Sequence, residues 1–140
     1  PLKRLVNKLQ LEKNVKFTGW MWDQGKIHAL LLHGAFAVAT YDPRGAQEDN
    51  FTYYADPTKI KTYLSCGLPV IMTDVSYNAK ALQKDGCAQV VSYNASAIAK
   101  AMMMWIDDTA KLEKARKSAI KVARGSIWEK IFGSVTGLGL

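Results

Sequence analysis

The feature that most constrains this chain is an alternation of short, nearly continuous apolar runs with helix-patterned segments. The runs cover residues 15–17, 35–39, 69–72 and 89–91. Each is nearly continuous in hydrophobicity, the pattern of strands buried on both faces of a parallel sheet. Between them lie helical periodicities. Residues 26–32 carry Ile27, Leu30 and Leu31 on one face, and residues 57–66 carry Ile60, Tyr63 and Leu64. Residues 78–84 form a third such segment. Residues 95–105 place Ile98, Met102 and Trp105 on one stripe, and residues 109–123 repeat Leu112, Ala115, Ala119 and Val122 at three-to-four spacing. A short helix is predicted over 127–132, and residues 2–9 also read as helical. Strands alternating with helices imply right-handed crossovers. The expected class is therefore α/β, a Rossmann-like doubly wound parallel sheet with flanking helices. Because the chain opens on a helix, the sheet is expected to lack its first strand. The run Met102, Met103, Met104 reads as core filler.

The chain has 140 residues, with 49% hydrophobic and 22% charged. That fits one globular domain spanning 1–140 with a single sizeable core. No run reaches the roughly 18 apolar residues of a membrane span, and the start lacks the order of a signal peptide. The two cysteines, Cys66 and Cys87, have neither disulfide-framework nor metal-ligand spacing. They read as small buried residues of a reducing compartment, so a cytoplasmic location is expected. The formal charge is +7, concentrated in Lys3, Arg4, Lys8, Lys13 and Lys16 and again over residues 111–130. A solvated helix face and attraction to an anionic membrane both explain it, the latter giving peripheral contact at the inner face of the membrane. Nucleic acid is not expected as a partner, since no aromatic-basic pattern or helix-turn-helix signal accompanies the charge. His28 and His33 have no supporting constellation and read as helix surface.

In doubly wound sheets ligands bind beyond the carboxyl ends of the strands. The loops to inspect are thus 18–23, 40–56, 73–78 and 92–94. The segment 41–56 is the one long loop, and its Phe51, Tyr53 and Tyr54 favour a functional role. It leads into Asp56-Pro57-Thr58-Lys59. Asp is a good helix N-cap, and Pro suits the first helical position. The helix that follows ends at Gly67, a C-terminal stop. A helix N-terminus presents free N–H groups that bind phosphate. Thr58 adds a hydroxyl and Lys59 a cation. A lysine in the first turn opposes the helix dipole unless an anion is present, which singles out Lys59. The competing reading is a plain capped helix with an exposed lysine.

The string from Asp56-Pro57-Thr58-Lys59 through Gly67-Leu68-Pro69-Val70-Ile71 resembles the signature of the C-terminal domain of GT-B glycosyltransferases, most closely the retaining "group 1" family. Val15-Lys16-Phe17-Thr18-Gly19 is similar to that family's earlier strand and glycine turn. Ala35-Phe36-Ala37-Val38-Ala39 matches the strand before its donor loop. Gly86 with Val90-Val91 and the segment 95–107 resemble its later strand and closing helix, and Trp128 falls in its terminal helix. One departure stands out. Many members carry two glutamates eight residues apart, the second five before the motif glycine. Those positions hold Tyr54 and Thr62 here.

The resemblance implies the donor-binding half of a two-domain enzyme that moves a sugar from a nucleotide-diphosphate donor to an acceptor. Such hexosyl transfer would serve glycan, cell-envelope polysaccharide or glycolipid biosynthesis. A separate N-terminal domain would hold the acceptor, and the fragment alone would be inactive. No metal or other cofactor is expected, because a helix N-terminus and basic residues can meet the diphosphate charge. The implied donor-binding residues are Gly19, Trp20, Tyr54, Asp56, Thr58, Lys59 and Thr62, with the diphosphate at Thr58 and Lys59 and the base near Gly19, Trp20 and Trp22. For the two tryptophans, packing at a domain interface is an equal alternative. No catalytic residue is assigned. Two other functions stay open: half of a sugar epimerase of the same architecture, and a non-catalytic nucleotide-binding module, which the missing glutamates favour.

Overall fold

The computed structural model describes residues 1–43 and 58–126. The elements run α1 (Leu2–Lys8), α2 (Gln24–Leu32), β1 (Ala37–Ala39), α3 (Thr58–Ser65), β2 (Val70–Thr73), α4 (Ala79–Lys84), β3 (Ala88–Val91), α5 (Ala95–Asp107) and α6 (Thr109–Gly125). The three strands form one parallel sheet in the order β1-β2-β3. Val70 aligns with both Ala37 and Ala88. The α/β class and the parallel sheet flanked by helices are as expected. The predicted helix over 127–132, Trp128 within it, and the loop 44–57 lie outside the described residues.

The pleat sends alternate side chains of β2 to opposite faces. Val70 and Met72 pack with Ile60 and Leu64 of α3 and Leu82 of α4. Ile71 packs on the other face with Ala101 and Trp105 of α5 and Ala115 of α6. The central strand is therefore buried throughout. Only such a strand meets the double-sided burial that a continuous apolar run suggests. In the edge strand β1, Ala37 and Ala39 are buried while Val38 points to the α5 face and remains exposed.

Helix ends follow their local chemistry. Asp23, Asn94 and Asp108 cap α2, α5 and α6 by accepting from the N–H groups of Lys26, Ala97 and Lys111. Helix α3 ends in a paired closure, with Gly67 N–H donating to the Leu64 carbonyl and Leu68 N–H to the Tyr63 carbonyl. Gly67 has φ +72°, the left-handed conformation this closure requires. The chain then enters β2 directly, so α3 and the strand beside it are held in fixed relation. Arg116 on α6 donates to the carbonyls of Gly34 and Ala35 at 2.8 and 2.9 Å, tying α6 to the segment that leads into β1.

Two expectations are corrected. Residues 15–17 are not a strand. Val15 and Phe17 are exposed, and no strand among the described residues pairs with this run. Without a neighbour, three extended residues gain no ladder hydrogen bonds. The methionine run is also not all core. Met102 packs against the Trp105 cluster, but Met103 and Met104 turn outward, because consecutive helical residues cannot share a face. Both cysteines are buried as expected, and neither is in a disulfide.

Candidate functional site

A cleft of about 430 Å³ opens between α2 and α3. One wall is the chain at Thr18, Gly19, Trp20 and Met21. The floor is Gln24, Ile27, Leu30 and Leu31 of α2. The opposite wall is Thr58, Lys59, Thr62 and Tyr63, the first two turns of α3. This volume lies within the usual range for small-molecule sites, about 300–1,000 Å³. Gly19, Trp20, Thr58, Lys59 and Thr62, five of the residues singled out from the sequence, meet here although Gly19 and Thr62 are far apart in the chain. Tyr54 and Asp56, with Pro57, lie outside the described residues.

Gly19 has φ +68°, and a side chain there would meet nothing within 4 Å. Its glycine is thus required by backbone conformation, not by crowding. Trp20 and Trp22 contact each other edge-on with ring centroids 5.3 Å apart. They are 78% and 84% exposed, and only Trp20 borders the cleft. Trp22 therefore stands outside the group that the structure brings together.

The α3 wall has distinct polar chemistry. Thr58 and Lys59 are exposed, and Thr62 is half-buried. The Thr62 hydroxyl donates to the Thr58 carbonyl at 3.1 Å, one turn back, leaving its oxygen able to accept. No acidic residue occupies the first turn of α3. Lys59 Nζ lies 5.1 Å from the centroid of the Tyr41 ring, a cation–π contact. Thr58 and Thr62 also border a smaller groove of about 280 Å³ on the far side of α3, against Val122 and Ala123 of α6. That groove lacks both Lys59 and the Gly19 turn, so the larger cleft is the better-equipped site.

Two residues of the surroundings, Tyr41 and Thr73, fall in the segments marked for inspection but were given no role from the sequence. Thr73, at the end of β2, is 1% exposed. Its hydroxyl accepts from the Tyr41 N–H at 2.9 Å and donates to the Tyr41 carbonyl at 2.7 Å. The available signal was a hydroxyl residue closing an otherwise apolar strand. Among the described residues no cluster of His, Cys, Asp and Glu could hold a metal ion, and His28 and His33 are exposed on or beside α2.

Residues 4–132 match the protein family described as glucosyltransferase 3-like, C-terminal domain. The chain belongs to this family. No curated protein and no solved structure matches it. Membership of the glucosyltransferase 3-like family supports the resemblance at the level of a glycosyltransferase C-terminal domain and gives the chain a transferase-like assignment. The match runs from within α1 to beyond the end of α6, so the cleft lies wholly within the family's domain. Among the described residues no helix is long and apolar enough to cross a membrane.

Proposed function

We propose that this chain holds the nucleoside-diphosphate sugar donor of a hexosyl transfer, as the donor-binding half of a GT-B-type enzyme related to the retaining "group 1" class. The observation that carries this reading is the α2–α3 cleft, where the N-terminal turn of α3 presents Lys59 with no acidic neighbour in that turn. A cation there is unfavourable to the helix alone and favourable with an anion present. The diphosphate would meet the N-terminal N–H groups of α3, the Thr58 hydroxyl and the Lys59 ammonium. As the glycosidic bond to the donor breaks, negative charge grows on the departing diphosphate. Donors already aimed at that position stabilise it without reorganising. The base would lie against Gly19 and Trp20, and a ribose hydroxyl could donate to Thr62. Tyr54 and Asp56 remain in the proposed donor set. The chain's own groups meet the diphosphate charge in this scheme, so chelators should leave binding unchanged.

The acceptor would sit on a second domain. The exposed Trp20, Trp22, Leu30 and Leu32 beside the cleft give such a domain apolar surface to cover. A non-catalytic binding module is the second reading. It is favoured by Thr62, which offers one hydroxyl where a carboxylate would make charge-assisted bonds to ribose.

Isothermal titration of the chain with uridine, guanosine and adenosine diphosphates tests the proposal. One of them should bind, and Lys59→Ala should weaken it by about tenfold or more, in line with the loss of a hydrogen bond to a charged group. Equal affinity in wild type and Lys59→Ala would remove the proposed diphosphate site. In the two-domain protein, donor binding without sugar transfer to any acceptor would favour the non-catalytic reading.

A further inference from the structure

We infer that Tyr41, anchored by Thr73, is a positioning residue that fixes the Lys59 ammonium for the diphosphate, a role that rests on the donor-binding reading above. Three elements converge at this point. Tyr41 follows β1, Thr73 ends β2, and Lys59 stands in the first turn of α3. Thr73 uses one hydroxyl to bond both backbone groups of Tyr41, accepting at 2.9 Å and donating at 2.7 Å. Among common side chains only a short hydroxyl offers donor and acceptor at a single atom in so small a space. Thr73 is itself buried in the central strand, so the root of Tyr41 is tied to the fully buried strand of the sheet. The Tyr41 side chain packs against the core cluster that contains Met72 and Ile60, and its ring face receives Lys59 Nζ at 5.1 Å.

The consequence for binding is preorganisation. A free lysine side chain samples many rotamers, and immobilising it weakens any contact it makes. The ring attracts the ammonium on one side and leaves N–H donors on the other side for an anion. Tyr41 thereby holds Lys59 at the helix N-terminus before the donor arrives. In this scheme Tyr41 acts on the donor through Lys59, whose ammonium it holds.

The test replaces the ring's charge distribution while keeping its shape. Phenylalanine and then progressively fluorinated phenylalanines are placed at position 41, in the wild-type and Lys59→Ala backgrounds. Affinity for the bound nucleoside diphosphate and for inorganic pyrophosphate is measured by calorimetry. Tyr41→Phe should bind within about twofold of wild type. Increasing fluorination should weaken both ligands progressively, by about three- to tenfold at the highest substitution. In the Lys59→Ala background the same series should be flat. A merely structural role would instead weaken binding equally in both backgrounds. A flat series in the wild-type background, with Lys59→Ala still weakened, overturns the role of Tyr41 and leaves the donor-binding reading standing. Unchanged affinity in Lys59→Ala overturns both. Thr73→Val supplies a second route. It should weaken binding in the wild-type background and not in Lys59→Ala, and equal effects in both would overturn the anchoring role.

Discussion

Single residues carry the chemistry, and their surroundings say how. Lys59 stands at the end of a helix that disfavours it, held by an aromatic ring. Thr73 is a buried hydroxyl with its hydrogen-bonding capacity used on one neighbour. Replacing it by valine keeps the shape and strips partners from the Tyr41 backbone. A loss of about 1–3 kcal/mol is expected in chemical denaturation. Cys87 is a different case. Burial, with a smaller contribution from the Asp85 charge, pushes its thiol from an ordinary 9.0 up to about 11. The folded state thus holds the proton more tightly than the unfolded chain. The corresponding stability is fully present below about pH 9 and is lost as pH rises towards 11. At neutral pH Cys87 should resist alkylation in the native protein and react once it unfolds, and mass spectrometry with and without denaturant checks this. Lys59 was legible in the sequence, because a lysine after Asp-Pro-Thr marks a helix start. Tyr41 was not, because its importance comes from a contact with a helix far along the chain and a strand farther still.

At the scale of elements, the turn from α3 into β2 positions the site. Gly67 adopts φ +72°, and a methyl there would meet Ile120 Cδ1 at 3.3 Å and Cγ1 at 3.4 Å. Gly67→Ala should therefore cost about 1–2 kcal/mol from the backbone conformation alone, read as a lowered Tm. A gain in stability would mean the helix closure is not as described. The positions of β1, β2, β3 and all six helices were legible in the sequence, the strands from nearly continuous apolar runs and the helices from their helical patterning. Residues 15–17 were not, because an apolar run reports a demand for burial and not the presence of a pairing partner. The exposed Met103 and Met104 show the same limit on the outer side of α5.

Across the whole molecule, burial is unevenly shared. The sheet, α3 to α6 and the turns that join them contain all the buried residues among those described, whereas α1 and α2 contain none. Helix α1 contacts its surroundings through Lys3, whose ammonium lies 5.9 Å from the Phe17 ring centroid. Deleting the residues of α1 should leave the Tm nearly unchanged, whereas Trp105→Ala should cost about 3–5 kcal/mol. The fold class was legible from the order of elements along the chain, and the glycosyltransferase relationship from the resemblance of the string Asp56 through Ile71 to that family's signature. The shape of the cleft was not, because the sequence does not show how closely residues 18–21 approach α3.

The most direct test is amide chemical-shift mapping by NMR during titration with the nucleoside diphosphate that binds. If the donor lies in the α2–α3 cleft, shifts should concentrate at Gly19, Trp20, Thr58, Lys59 and Thr62. Shifts confined to the far side of the sheet, around Gln89, Val91 and Met104, would contradict it.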